Sequence, residues 1–215
     1  DKAYEVHDTP DAGIWEFRGK ENVHTSSAIM CWAACDRLAR IARHLKLDDR
    51  EAHWKKRAEE IKDVVLTRAY NKKLNAFTAA YEGDELDASV LLMAEIGFIN
   101  PMDKRYIGTV EAIDDKLREG NFIYRYKMED DFGTPETTFT ACTFWFIDAL
   151  WRIGRKDEAR EMFKAVLEHR NHLGLMSEDL NAETKEMWGN FPQTYSLVGI
   201  INSANLLSED WLHVI

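Results

Sequence analysis

The sequence predicts an all-α protein, and three observations support this fold class. Apolar residues recur at helical spacing along most of the chain, as in the segment 28–45. Segments that are apolar on nearly every side, such as 139–153, alternate with amphipathic ones such as 156–169. No stretch has the pattern of a sheet core. The alternation predicts two layers, in which buried inner helices pack against outer helices that show one face to water.

The periodic segments predict about seven helices in inner and outer pairs. They lie near residues 28–45, 50–70, 84–93, 103–118, 139–153, 156–169 and 192–207. We expect Asp48 or Asp49 to cap the second helix and Asp84 to cap the third, while Gly120 ends the fourth. The segment 122–127 fits either a loop or a short β-ribbon.

Composition limits the partners and the compartment. The 215 residues, 45 % of them hydrophobic, suit one globular domain over residues 1–215. A net charge of -10 disfavours nucleic acid and anionic membranes as partners. Three cysteines cannot form a full set of disulfides, and neither a membrane span nor a signal peptide is recognisable, so we expect reduced thiols in the cytoplasm. Because the chain begins at Asp1 rather than Met, we expect it to be a segment of a longer protein.

The first candidate site is the segment 11–19, which reads Asp-Ala-Gly-Ile-Trp-Glu-Phe-Arg-Gly. Glu16 lies between Trp15 and Phe17, and apolar neighbours disfavour the charged form of a carboxyl group, which suits a proton donor. Arg18 opposes this effect. Two interpretations therefore stay open, a catalytic acid or a loop carboxylate paired with Arg18.

A second candidate site lies near the C-terminus. Glu178 stands beside Asp179 in a glycine-flanked loop, and Trp188 and Gln193 follow in a second loop. Taken alone, this pattern fits a solvated turn as well as a catalytic carboxylate.

The third candidate site places Arg125 between Tyr124 and Tyr126. Aromatic rings beside a guanidinium suit a sugar, because ring faces stack and hydroxyl groups accept hydrogen bonds. The alternative is an ion pair between Arg125 and either Glu129 or Asp130.

Other polar clusters have simpler interpretations. His169 and His172 lack further ligands, so no metal is expected there. The segment 84–87 lacks the regular alternation of a calcium loop, and a helix cap explains it better. His24 precedes α-helical sequence and either supports Glu16 from behind or caps the helix.

Over its whole length the sequence resembles the glucoamylase-like family, glycoside hydrolase family 15. The resemblance is carried by Gly-Ile-Trp-Glu-Phe-Arg-Gly at 13–19, Gly-Asp-Glu-Leu-Asp-Ala-Ser at 83–89, Arg-Tyr at 125–126, Gly-Leu-Met-Ser-Glu-Asp at 174–179 and Gly-Asn-Phe-Pro-Gln-Thr-Tyr-Ser at 189–196.

This resemblance implies part of an (α/α)6 toroid and hydrolysis with inversion. It implies that Glu16 is the general acid and Glu178 the general base, with roughly 6.5–9.5 Å between the two carboxyl groups. No cofactor is needed for this chemistry. The residues to which the resemblance assigns substrate binding are Trp15, Arg18, Arg125, Tyr126, Gln193 and Tyr195.

The implied activity is that of an exo-acting α-glucosidase, which removes terminal α-1,4-linked glucose and releases β-glucose. Trehalose is the alternative substrate, and a non-catalytic helical scaffold or an inactive fragment is the alternative of another class. The chain holds about half of the six helix pairs of a full toroid. We therefore expect the missing N-terminal half, or a second copy of the chain, as a partner, and little hydrolase activity from the isolated segment.

Overall fold

The computed structural model describes residues 1–19 and 21–208, and within them the protein is mainly helical. Its eight α-helices in those ranges are α1 (Lys2–Val6), α2 (Thr25–His44), α3 (Asp48–Arg68), α4 (Leu92–Glu95), α5 (Lys104–Leu117), α6 (Thr140–Arg152), α7 (Lys156–Leu167) and α8 (Thr194–Leu207). A 3-10 helix occupies Ala88–Leu91. The all-α prediction is therefore confirmed, with α1 as a short addition to the predicted helices.

The strands are two residues long and pair only with antiparallel neighbours. They are β1 (Tyr70–Asn71), β2 (Ala76–Phe77), β3 (Arg118–Glu119), β4 (Phe122–Ile123), β5 (Thr138–Phe139), β6 (Asp179–Leu180) and β7 (Met187–Trp188). β1 pairs with β2, β3 pairs with β4, and β5, β6 and β7 form one small sheet in that order. Of the predicted β-ribbon at 122–127, only the two residues of β4 are strand.

The chain forms two compact units, Asp1–Thr109 and Val110–Ile215. In the first unit α2 packs along α3, and Ile29 and Ile61 are fully buried. The Trp32 ring meets the Phe98 ring edge-on, with ring centroids 5.1 Å apart. The loop that carries Glu16 precedes α2 in the sequence, so the packing of α2 on α3 fixes the end of that loop.

In the second unit α6 packs against α7, α8 and β4. Large side chains on several sides of α6 are buried, including Phe144, Phe146, Ile147 and Leu150. By contrast α7 buries one face, formed by Ala159, Met162 and Val166. This pair confirms the predicted alternation of an enclosed helix with an amphipathic one.

The contact between α6 and α8 depends on small and polar side chains. A Cβ atom at Gly199 would overlap the ring of Phe144, so glycine allows α8 to approach α6. The Ser203 hydroxyl donates a hydrogen bond of 2.6 Å to the buried Asp148 carboxylate. The outer face of α8 is exposed, including Ile201 at 59 %. The outer face of α8 is therefore apolar and exposed within the described residues.

Two predicted helix caps are wrong. The N-cap residue of α3 is Leu47, which makes no side-chain cap hydrogen bond. Asp48 and Asp49 lie in the first turn of the helix, where acidic residues complement the helix dipole. Asp87 rather than Asp84 caps the third predicted helix, by accepting a hydrogen bond from the Ser89 N–H. That helix is short, because it comprises only the 3-10 turn and α4.

No helix in the described ranges is long and apolar enough to span a membrane. The prediction of one domain over residues 1–215 stays a prediction.

Candidate active site

Glu16 lies at the tip of a tight loop in the first unit. The Phe17 N–H bonds the Ala12 carbonyl at 2.9 Å, and the Glu16 N–H bonds the Gly13 carbonyl at 3.2 Å. Glu16 has a φ of +57°, a left-handed conformation that costs a non-glycine residue about 1–2 kcal/mol. Its carboxylate is exposed and has no hydrogen-bond partner among residues 1–19 and 21–208. The backbone of the loop therefore determines where this side chain points.

Trp15 is anchored by a buried carboxylate. Its indole N–H donates a hydrogen bond of 2.7 Å to Asp87 Oδ2, while the Ser89 N–H donates one of 2.7 Å to Asp87 Oδ1. Burial raises the pKa of Asp87, and hydrogen bonds from Ser89 and Trp15 and the nearby charge of His24 oppose that rise. This contact joins the motif at 13–19 to the motif at 83–89.

Phe17 is anchored on the other side of Glu16. Its ring is buried and stacks on the His24 ring, with centroids 5.7 Å apart and an interplanar angle of 18°. His24 occupies the N-cap position of α2, but its side chain makes no cap hydrogen bond. Of its two predicted roles, support behind Glu16 therefore fits the geometry, and side-chain capping is wrong. A Cβ at Gly13 would lie 3.0 Å from the same ring, so the loop packs closely on it.

An open cleft of about 360 Å³ adjoins the Glu16 loop. Its lining residues are Gly13, Ile14, Ser26, Ser27 and Met30. Ile14 and Met30 are each 43 % exposed, so the cleft offers apolar surface beside hydroxyl groups. Such a mixed lining is typical of small-molecule sites. Arg18 is exposed and follows Phe17 in the same loop.

Glu178, in the second unit, is held by direct hydrogen bonds. Its Oε2 accepts one from the Asn190 N–H at 3.1 Å and one from the Asn190 side-chain amide at 3.0 Å. Its Oε1 accepts one from the Gln193 side-chain amide at 3.2 Å. The backbone pairs as well, because the Glu178 N–H bonds the Asn190 carbonyl at 2.9 Å. Two of the predicted site residues, Glu178 and Gln193, are therefore in direct contact.

Gly189 is required where the second loop passes Glu178. Its φ is +74°, and an added Cβ would lie 2.8 Å from Glu178 Oε2. The peptide bond between Phe191 and Pro192 is cis. Tyr195 follows at the start of α8, where the residue is 69 % exposed and its N–H donates to Gln193 Oε1 at 3.4 Å.

Asp179 is a perturbed carboxyl group beside Glu178. Burial raises the pKa of Asp179 to about 6; a hydrogen bond from Thr137 and the positive charge of Arg125 oppose the rise, and the negative charge of Glu178 adds to it. The Thr137 hydroxyl lies 2.8 Å from Asp179 Oδ2. Asp179 Oδ1 and Arg125 Nε are buried and have no hydrogen-bond partner in the part of the chain that the structure describes.

The Arg125 guanidinium lies near two aromatic rings, of which Tyr126 is one of the two sequence neighbours and Phe139 is not. Its guanidinium carbon is 5.5 Å from the centroid of the Tyr126 ring and 5.8 Å from that of Phe139. Tyr126 is buried, and its hydroxyl donates a 2.7 Å hydrogen bond to Asp130. Arg125 also borders an open cleft of about 280 Å³ formed with the segment 130–136. Sugar binding by Arg125 and Tyr126 stays a prediction.

Three residues at these loops were not identified from the sequence, namely Asn190, Gly189 and the Asp87 partner of Trp15. Asn190 and Gly189 lie inside the family motif at 189–196, so the motif itself is the signal that could have identified them. The bond between Trp15 and Asp87 joins residues 72 positions apart and has no local signal. In the described ranges, no three His, Cys, Asp or Glu side chains form a cluster that could hold a metal ion.

Comparisons with known proteins agree with the predicted family. Residues 3–205 match the family described as glycosyl hydrolases family 15. The chain is 37 % identical over 204 residues to a trehalase of Thermoplasma acidophilum, covering 94 % of this chain and 35 % of that protein. It is 39 % identical over 197 residues to a trehalase of Mycolicibacterium smegmatis, covering 90 % of this chain and 29 % of that protein.

A solved structure of a glycosidase variant in complex with glucose superposes on 95 % of this chain and 57 % of its own length, with a TM-score of 0.80 and 16 % sequence identity. At this identity the likeness concerns the fold alone. It confirms the predicted fold class, which is all-α and part of an (α/α)6 toroid.

The chain spans about a third of the length of the curated relatives it matches, with 35 % and 29 % for the two trehalases. The family match nevertheless extends over most of the chain and includes all three candidate segments. The chain therefore belongs to glycosyl hydrolases family 15.

Proposed function

We propose that the protein is an inverting α,α-trehalase, in which Glu16 is the general acid and Glu178 the general base. The observation that carries the proposal is the identity of 37 % and 39 % to two trehalases over at least nine-tenths of the chain. The family match at residues 3–205 includes both carboxylates. The sequence alone put terminal α-1,4-linked glucose first and trehalose second, and the names of these relatives support the opposite order.

In the proposed reaction Glu16 gives its proton to the glycosidic oxygen as the bond between this oxygen and the anomeric carbon breaks. The exposed position of Glu16 supports this role, because a general acid must come within hydrogen-bond distance of the leaving oxygen. The apolar neighbours Trp15 and Phe17 flank it, and Ile14 lines the adjoining cleft.

Glu178 removes a proton from the water that attacks the anomeric carbon on the opposite face of the sugar. The hydrogen bonds from Asn190 and Gln193 support this role, because they orient the carboxylate and complement its negative charge. Attack from the opposite face inverts the anomeric configuration.

Sugar binding is assigned to side chains around the two carboxylates. In this proposal Trp15 and Arg18 contact glucose near the acid, and Arg125 binds sugar hydroxyls. The buried Tyr126 supports the Arg125 guanidinium, and Tyr195 offers an exposed side chain. Gln193 contacts the sugar beside the base, to which its side-chain amide donates a hydrogen bond.

The test is glucose release from trehalose and from maltose by the protein expressed from its complete gene, with Glu16→Gln and Glu178→Gln as controls. We expect trehalose to be cleaved at least about 100-fold more efficiently than maltose, and both variants to be inactive on trehalose. A preference for maltose would favour the glucoamylase-type alternative. Cleavage of neither sugar would favour a non-catalytic scaffold.

A cytoplasmic location also stays a prediction. The Cys31 and Cys35 thiols, which are not joined in a disulfide, support it.

A further inference from the structure

Asp87 is more than a helix cap. It is 3 % exposed, and each of its carboxylate oxygens accepts a hydrogen bond of 2.7 Å. The bond from the Ser89 N–H satisfies the 3-10 helix, and serine, threonine or asparagine could replace an aspartate in that role. The second oxygen accepts a hydrogen bond from the indole N–H of Trp15. Trp15 is 72 positions away from Asp87 in the sequence and directly precedes Glu16, the proposed acid.

Glu16 stands between two anchored aromatic residues. Trp15 is fixed through its hydrogen bond to Asp87, and Phe17 is fixed through its stacking on His24. Glu16 itself adopts a left-handed backbone conformation. Such a conformation persists only where the surrounding contacts determine it. The two anchors supply these contacts together with the backbone hydrogen bonds of the Glu16 and Phe17 N–H groups, since the Glu16 carboxylate makes no hydrogen bond within the described residues.

Backbone hydrogen bonds connect the segments that carry the two anchoring residues, His24 and Asp87. The Thr25 N–H bonds the Ala79 carbonyl at 2.9 Å, and the Tyr81 N–H bonds the Val23 carbonyl at 3.0 Å. The Ala79 N–H bonds the Glu85 carbonyl at 2.8 Å, two residues before Asp87. The segments that carry His24 and Asp87 are thus joined, and the loop is held against both.

We propose that Asp87 is a positioning residue, which acts through the Trp15 indole to hold the Glu16 carboxyl group where it can protonate the leaving oxygen. This inference rests on the proposed function, because it takes Glu16 as the acid. A displacement of about 1 Å in a reacting group can lower a rate by about 100-fold. Asparagine at position 87 cannot satisfy both the Trp15 and the Ser89 N–H groups, since its amide nitrogen is a donor.

The experiment compares two substrates that differ in their need for an acid. Trehalose requires protonation of its leaving oxygen, whereas α-glucosyl fluoride releases fluoride without a proton from a general acid. For Asp87→Asn we expect kcat on trehalose to fall by about 10–100-fold, and kcat on α-glucosyl fluoride to stay within about threefold of wild type. Equal losses on both substrates, or no loss on trehalose, would overturn the inference.

Two controls separate this inference from the proposed function. Glu16→Gln should show the same selectivity with a larger loss on trehalose; if it does not, or if the wild-type protein cleaves neither substrate, the proposed function fails and this inference fails with it.

Asp148→Asn changes another buried aspartate, which accepts a hydrogen bond from Ser203. It should leave the ratio of the two rates unchanged; a shift in that ratio would show that the selective loss is not specific to Asp87.

A second variant keeps the test decisive if Asp87→Asn does not fold. Trp15→Phe removes the indole N–H donor together with one ring of the side chain, and a lost sugar contact would affect both substrates equally because they share the glucosyl ring. We expect the same selective loss on trehalose, and an equal loss on both substrates would overturn the inference. Where both variants fold, the double variant should lose no more than about threefold beyond the larger single loss. Additive losses would contradict action of Asp87 through Trp15.

Discussion

The Glu16 loop and the Glu178 loop hold their carboxylates in different ways. Glu178 receives hydrogen bonds directly from Asn190 and Gln193. Glu16 receives none within the described residues and is positioned through its neighbours, Trp15 and Phe17. Direct donors suit a group that must be ionised when water is activated. Indirect support suits a group that must carry a proton and then release it, because a donor on the carboxylate would favour the ionised form.

The largest expected effect comes from removing each carboxyl group in turn. Glu178→Gln should lower kcat on trehalose and on α-glucosyl fluoride by about 10³-fold each, because water must be activated for both substrates. Glu16→Gln should cause a loss of similar size on trehalose only. Steady-state rates on the two substrates measure the difference. Identical patterns in the two variants would contradict the division between acid and base.

A second prediction concerns the perturbed carboxyl group in the Glu178 loop. Since burial raises the pKa of Asp179 from 3.8 to about 6, the folded protein binds more protons than the unfolded chain between these values. The contribution of Asp179 to stability is thus fully present below about pH 4 and is lost as pH rises through about 6. The loss corresponds to at most about 3 kcal/mol, since one pKa unit is about 1.4 kcal/mol.

Urea unfolding of the wild-type protein and Asp179→Asn at pH 4, 5, 6 and 7 tests this prediction. We expect the free energy of unfolding of the wild type, relative to the variant, to fall over this range. In a Glu178→Gln background the free energy of unfolding should decrease less between pH 4 and 7, because the Glu178 charge contributes to the raised pKa of Asp179. Parallel curves for the wild type and Asp179→Asn would show that Asp179 ionises as it does in the unfolded chain.

The smallest expected effect tests how closely the second loop passes the base. Gly189→Ala places a Cβ 2.8 Å from Glu178 Oε2, so the carboxylate must move by several tenths of an ångström. We expect kcat on trehalose to fall about tenfold. Gly174→Ala is the matched control, because Gly174 has a similar φ of +81° but open space around its Cβ position. Equal activity losses in the two variants would attribute the effect to backbone strain alone.

Helical periodicity predicted α2, α3, α5, α6, α7 and α8 because it reflects a property of contiguous residues. The pairing of β5 with β6 was not predictable in the same way, since Thr138 and its partner Leu180 lie far apart in the sequence. Cap positions failed where the choice among several aspartates depends on tertiary contacts, as with Asp84 and Asp87. Motifs identified Glu16 and Glu178 as candidates, but their support from Asp87 and Asn190 required the folded chain.

The central claim is that Glu16 and Glu178 hydrolyse trehalose with inversion, and proton NMR of the first glucose formed tests it most directly. Inversion gives one β-glucose from the attacked sugar and one α-glucose from the leaving sugar, so we predict equal amounts of both anomers before mutarotation. Release of α-glucose alone would indicate retention and would contradict the account, as would the absence of cleavage by the protein expressed from its complete gene.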